Sequence, residues 1–200
     1  SDLIGSSSAP TANPVNGTYW FDLTSSSYGL FEWSSTNQSF TAITPKLITS
    51  ATDLVGNSTT GAPRPEYGSK GQYAINTTTV TNPIYFKNDT NSWVQVGSTD
   101  WHISHPTIEG TATSGTLTNE HTIVINGVTV TLSGTTFANL VTSINNAKIP
   151  GVTAAVDAVS GKLEIYHNGT NYGDSVGGAN SINISTGTGT ILATVGITAG

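Results

Sequence analysis

Gly17-Thr18-Tyr19-Trp20-Phe21-Asp22, with Leu30-Phe31 behind it, returns 54 residues later as Gly71-Gln72-Tyr73-Ala74-Ile75-Asn76, with Ile84-Tyr85 behind it. Each stretch opens on a turn glycine and runs on in aromatic and β-branched residues, the signature of a short strand (18–23 and 72–75), and a partner strand follows (29–33 and 83–87). Ser39-Phe40 and Ser92-Trp93, 53 residues apart, end each copy on an aromatic third strand. Upstream, Asp2-Leu3-Ile4-Gly5 is set against Asp53-Leu54-Val55-Gly56, and Ala9-Pro10 against Ala62-Pro63. A drift of a few residues with the order of apolar, turn and aromatic positions kept is what duplicated modules show when insertions fall in their loops. The spacing therefore predicts two small tandem antiparallel β-repeats, residues 1–52 and 53–98. One is held by Tyr19, Phe31 and Phe40, the other by Tyr73, Tyr85 and Trp93. Neither copy carries much core of its own, so the copies are expected to pack on each other or on a larger body, as one domain or as two.

Polarity in the chain comes from Ser, Thr, Asn and Gly. Only 9% of the 200 residues are charged against a usual quarter, and the apolar share is 36%. Such a surface favours strands, turns and hydrogen-bonded contacts and suits a virion or extracellular protein. The net charge of −6, with Lys46, Arg64, Lys70, Lys87, Lys148 and Lys162 far apart, argues against nucleic acid as a partner. With no cysteine there is no disulfide, thiolate metal site or cysteine nucleophile. No apolar run reaches the length of a membrane span, so membrane insertion is not expected. The absence of methionine, position 1 included, is expected of a processed product or a piece of a longer polypeptide.

Between the copies, 43–55 reads either as a short helix starting after Pro45 or as an extended linker. Residues 56–71, with Pro63 and Pro65, read as an exposed connector, and 99–115 as a linker. The pattern then changes. Residues 122–125 and 128–132 flank Asn126-Gly127, a two-residue hairpin signal. Thr135 or Thr136 caps a helix with Phe137, Leu140, Val141 and Ile144 on one face, stopped by Pro150 and Gly151. A second hairpin spans 152–157 and 162–167, and 181–185 adds a strand. The order over 116–200 is β-β-α-β-β-β, with the single helix on one sheet, so the predicted class is mainly β with one α+β module.

In that last module TIVINGV (122–128), Leu140-Val141, Ile144-Asn145, GVTAAVD (151–157) and Gly161-Lys162-Leu163 resemble the flagellin hook IN motif, named for its helix-borne Ile-Asn pair. The motif occurs in flagellar proteins and in large phage structural proteins. The first half, above all NPVNGTYW (13–20), resembles repeats of the tail sheath and other virion proteins of T4-like cyanobacterial phages. The coiled-coil ends of flagellin and the polymerising core of a sheath have no counterpart here. The resemblance implies an outer, decorating portion of a virion structural protein without catalysis, whose partners are other subunits of a homo-oligomeric particle.

The acids and bases form no recognised catalytic pattern. His102 and His105, with Asp100 and Glu109 near them, are the one cluster of metal-ligand types, and their i, i+3 spacing on a strand or loop does not put both rings on one side, so no metal is expected. His121 and His167 read as strand-edge residues. Asp22, Glu32, Asp157 and Glu164 are the strand-associated carboxylates and read as solvent-facing. No Gly-x-Ser-x-Gly elbow is present, and Gly177-Gly178 with Gly187 and Gly189 lack the lysine of a phosphate loop. No cofactor is expected. The functional alternative lies in the aromatics. Flat rings among amides and hydroxyls are how proteins meet sugar faces, which makes Trp20, Trp33 and Trp93 the candidate glycan contacts of a carbohydrate-binding adhesion module.

Overall fold

Gly17 and Gly71 launch the two copies from the same left-handed backbone state, φ +79° and +81°, which glycine enters without a Cβ penalty. The computed structural model describes residues 2–25, 28–170 and 182–200. In the first copy Leu3–Ser6 (β1) runs parallel to Tyr19–Asp22 (β2), which pairs antiparallel with Leu30–Ser34 (β3), and that with Ser39–Ile43 (β4). In the second, Lys46–Ile48 (β5), Tyr73–Asn76 (β6), Ile84–Lys87 (β7) and Trp93–Gln95 (β8) repeat the order and the directions. Equivalence extends to single hydrogen bonds. Gly17 N–H donates to the Trp33 carbonyl at 3.2 Å and Gly71 N–H to that of Lys87 at 2.8 Å. After β2 the Asp22 carboxylate accepts from the Thr24 amide and hydroxyl at 2.9 and 2.7 Å, and after β6 the Asn76 amide oxygen accepts from Thr78 at the same two distances.

The sheets lie face to face over one core. Tyr19 and Leu30 from the first, flanked by Phe21 and Ile43, meet Tyr73, Ile75, Ile84, Phe86 and Val96 from the second. Tyr19 and Tyr73 are equivalent residues, and their rings touch at 5.2 Å. Strand alternation sends Tyr19 and Phe21 inward together and Trp20 outward.

Several expectations change here. Each copy has four strands rather than three, because a parallel strand joins the meander. The counterpart of β1 is β5, so the matching of residues 2–5 with 53–56 does not hold; Leu54 instead bridges Pro63. The boundary at residue 52 falls inside the second copy, which begins at β5. Segment 43–55 is neither one helix nor a plain linker. Pro45 and the β-branched Ile48-Thr49 favour extended backbone, and a 3₁₀ turn (Ala51–Asp53) capped by the Ser50 side chain follows. Residues 99–115 are no linker either: Ser98 caps the short helix Thr99–Ser104 (α1), whose Trp101 is fully buried, and Thr107–Glu109 (β9) joins a sheet.

The third unit keeps the predicted β-β-α-β-β-β order within the described residues, but a second helix follows it, so the single-helix expectation does not hold, and its strands form two sheets. Thr122–Ile125 (β10) lies between Val128–Thr131 (β11) and Ile184–Thr186 (β14), while Leu163–His167 (β13) lies between Val152–Val156 (β12) and β9. Thr136 caps Phe137–Asn146 (α2) through a reciprocal pair with Asn139. A short helix, Ile191–Val195 (α3), ends the chain's regular structure. All share one core through Ile123, Leu140, Ile144, Leu163, Ile165 and Ile191. Asn145, of the Ile-Asn pair, locks α2 to β12: its side-chain amide donates to the Ala154 carbonyl at 3.0 Å, and its oxygen accepts from the Ala154 amide at 2.8 Å. Ser181 and the Gly177-Gly178 stretch lie outside the described residues. Fourteen strands and three α-helices among the described residues make the fold mainly β with a small α element.

Sandwich and third unit are joined by buried contacts. Tyr19 Oη lies 2.8 Å from Tyr166 Oη, and Trp101 packs edge-on against the Tyr19 ring at 5.6 Å. His105 stacks on Trp101 and meets the Phe86 ring edge, both at 4.6 Å. At the rim, Asn16 N–H donates to Glu164 (2.8 Å), the Asn13 amide to Asp157 (3.1 Å) and the Gln38 amide to Asp157 (3.2 Å).

Two predictions follow from this packing. Gly71→Ala is expected to cost about 1–2 kcal/mol, the left-handed penalty alone, because its nearest contact is the Thr170 methyl at 3.3 Å. Gly17→Ala is expected to cost roughly twice that, since its Cβ would sit 2.5 Å from the Tyr166 ring; urea unfolding of both variants measures the difference. Burial holds the His105 imidazole down to about 3 and that of His167 down to about 4. Both are neutral in the fold and take up protons more readily when unfolded, so their contribution is complete above pH ~6.5 and is lost as pH falls toward those values. Half-buried Glu32 and buried Glu164, whose carboxyls burial raises, act in the opposite sense over the carboxylate range. The melting temperature is expected to drop between pH 6.5 and 4, and His105→Phe to flatten that slope.

Candidate functional site

Outward-facing positions of β2, β3 and β4 place Trp20, Phe31, Trp33 and Phe40 on one side of the first sheet. Trp20 stacks on Phe31 at 4.8 Å and 22° and approaches Phe40 at 5.6 Å, and Phe40 meets the Trp33 edge at 5.0 Å. Trp20, Phe31 and Phe40 are half-buried, whereas Trp33 keeps only 9% of its surface. The Trp20 ring is held by a hydrogen bond from Nε1 to the Ser6 carbonyl at 3.2 Å.

The second sheet treats the same face differently. Its outward residues Ala74, Tyr85 and Trp93 are covered by the connector, which seats Leu54 and Ala62 on them. Lys87, at the position of Trp33, is 1% exposed, and its ammonium donates to the Pro65, Tyr67 and Gly68 carbonyls. Trp93 Nε1 donates to the Arg64 carbonyl at 3.1 Å, and Arg64 Nε to that of Leu54 at 3.2 Å. Among the candidate glycan contacts, then, Trp20 is the most open, Trp33 shares its face at depth, and Trp93 lies apart under the connector. Residues 56–71 thus line the sheet instead of standing clear of it.

A second concavity opens on the inner side, where β3 and β4 face β12 and β13. This cleft of about 370 Å³ is bordered by Asn16, Glu32, Asn37, Thr41, Thr153 and Tyr166. Glu32 and Thr41 are cross-strand partners; the matching rung of the second sheet is Phe86 with Val94. Burial raises the Glu32 carboxyl above its ordinary value, partly offset by the nearby Tyr166 and Tyr19 hydroxyls. Burial likewise pushes both of those phenols well up, so they stay protonated donors.

Two other carboxylates serve the junction. Glu164 and Asp157, expected to face solvent, are each 1% exposed, because each accepts hydrogen bonds from the first copy. Burial alone would raise the Asp157 carboxyl, but backbone hydrogen bonds from Ser160 and Val159 and the Asn13 amide hold it below the usual range. His167, expected at an edge, is fully buried and its Nδ1 accepts from the Gly169 amide at 3.0 Å. His102 and Asp100 are exposed on α1, His105 points into the core, and Glu109 pairs with Lys162 at 2.8 Å. Among the described residues no three His, Asp or Glu side chains gather as a metal set. Thr41, Thr153 and Tyr166 were not singled out from the sequence, and Asn16 only within the 13–20 stretch. The Glu32/Phe86 mismatch between the copies was the signal that could have found their cleft.

The chain matches no protein family, no curated protein and no solved structure, so its chemistry is read from these surfaces.

Hydroxyl-radical footprinting read by mass spectrometry is expected to label Trp20, Phe31 and Phe40 while Trp33, Trp93 and Trp101 stay protected. Lys87→Ala, which unpins the connector, is expected to bring Trp93 into the labelled set.

Proposed function

We propose that this chain is a non-enzymatic structural module of a phage virion, an outer region of a tail-sheath-like protein that makes subunit or surface contacts. The observation that carries the reading is how the chain is spent: one four-stranded sheet is used twice, face to face, and then fixed to a third unit through a buried aromatic and tyrosine junction. Such an arrangement holds a shape and spaces surfaces. The hook IN-like pattern of the third unit and the sheath-like repeats of the first two support placement on a particle. The expected result of mass spectrometry on purified virions is this sequence within an abundant tail polypeptide, with its density on the outside of a helical tube in particle images. Its absence from virions, or a turnover abolished by Glu164→Gln alone, overturns the reading.

A carbohydrate-binding adhesion module is the second reading, favoured by the open Trp20, Phe31 and Phe40 face, whose counterpart is closed in the second copy. Rings stacked flat on a sheet suit sugar faces. Binding on a glycan array that is lost in Trp20→Ala would favour it over a purely architectural role.

A further inference from the structure

Duplication supplies an internal control for every position of the first sheet. On the inward side of β3 and β4, the second copy fills the Phe86–Val94 rung with apolar side chains, and Phe86 is 2% exposed. The first copy carries Glu32 and Thr41 on that rung, and a cleft of about 370 Å³ stands beside it. A half-buried carboxylate in place of phenylalanine is destabilising unless something compensates it. Among the described residues no cation pairs with Glu32; the ion pairs are Arg64–Glu66 and Lys162–Glu109. The compensation is partial and comes from the Tyr166 and Tyr19 hydroxyls.

We propose that the cleft between β3–β4 and β12–β13 is a binding site for a small neutral polyhydroxylated ligand, a mono- or disaccharide, with Glu32 as the principal acceptor at its floor. The border chemistry selects this class. Asn16, Asn37, Thr41 and Thr153 bring amides and hydroxyls that both donate and accept, while Glu32 accepts from paired hydroxyls. An anion is disfavoured by the carboxylate and by the lack of any lysine or arginine in the border. A metal ion lacks a second carboxylate or a histidine there. The volume lies at the lower end of ligand-pocket sizes, which fits one or two sugar rings. The cleft meets the outer aromatic face at Trp33, which lines both, but Trp20, Phe31 and Phe40 take no part in it.

The test is calorimetric titration and saturation-transfer NMR of the whole chain with a panel of neutral mono- and disaccharides, with calcium chloride and with ammonium chloride. The expected result is saccharide binding that weakens at least about tenfold in Glu32→Gln. The double variant Glu32→Phe/Thr41→Val, which copies the second sheet's rung, is expected to lose binding while melting no lower than the parent. That variant separates loss of the site from loss of the fold. No response to any sugar, binding unchanged in both variants, or a response to calcium or ammonium alone overturns the inference. Sugar binding abolished by Trp20→Ala but untouched by the Glu32 variants also overturns it, and leaves the outer-face reading standing.

Discussion

The burial of Tyr19 is the constraint on which the rest depends. Its ring lies against its own duplicate, Tyr73, and against Trp101 of the connecting helix, while its hydroxyl reaches Tyr166 of the third unit. One side chain thus touches all three parts of the chain. Aromatic contacts of this kind are worth about 0.5–1.5 kcal/mol each beyond their area, and a buried hydroxyl needs its partner. The glycine two residues before it completes the constraint, because only a residue without Cβ lets the Tyr166 ring approach. The copies differ at this point: Gly71 has the same φ but no ring against it.

Near-identity of the copies makes their differences informative. Both sheets have the same strand order, register and end turns, yet the second carries the long connector on its outer face and a phenylalanine on its inner rung. The first leaves its outer aromatics half-open and places a glutamate on that rung. Covering and filling serve stability alone. The first sheet therefore carries both the half-open aromatic face and the glutamate-bearing cleft.

Much of this was legible in the residues. The 54-residue repetition of Gly, Tyr and the apolar-aromatic pair identified equivalent backbone positions, because turn glycines and alternating strands leave a local record. The Asn126-Gly127 hairpin and the helix capped at Thr136 were visible for the same reason. Strand β5 was not, since Lys46-Leu47-Ile48 is three residues long and its partner is 28 positions away. Helix α1 was hidden in six residues whose order comes from burying Trp101, a tertiary effect. Asp157, Glu164 and His167 looked exposed for a like reason: charged and titratable types are buried only when distant groups satisfy them, and no local pattern records a distant partner.

Only Thr44 and Pro45 separate the last strand of the first sheet from the first strand of the second. So short a tether keeps the sheets from diffusing apart, and each opposing face would be left wet if its neighbour melted. A chain that looks like two beads on a string should consequently unravel in one concerted step under heat or mechanical load. Its parallel edge strand, pulled along its own axis, would have to shear its whole ladder of hydrogen bonds at once instead of peeling them singly.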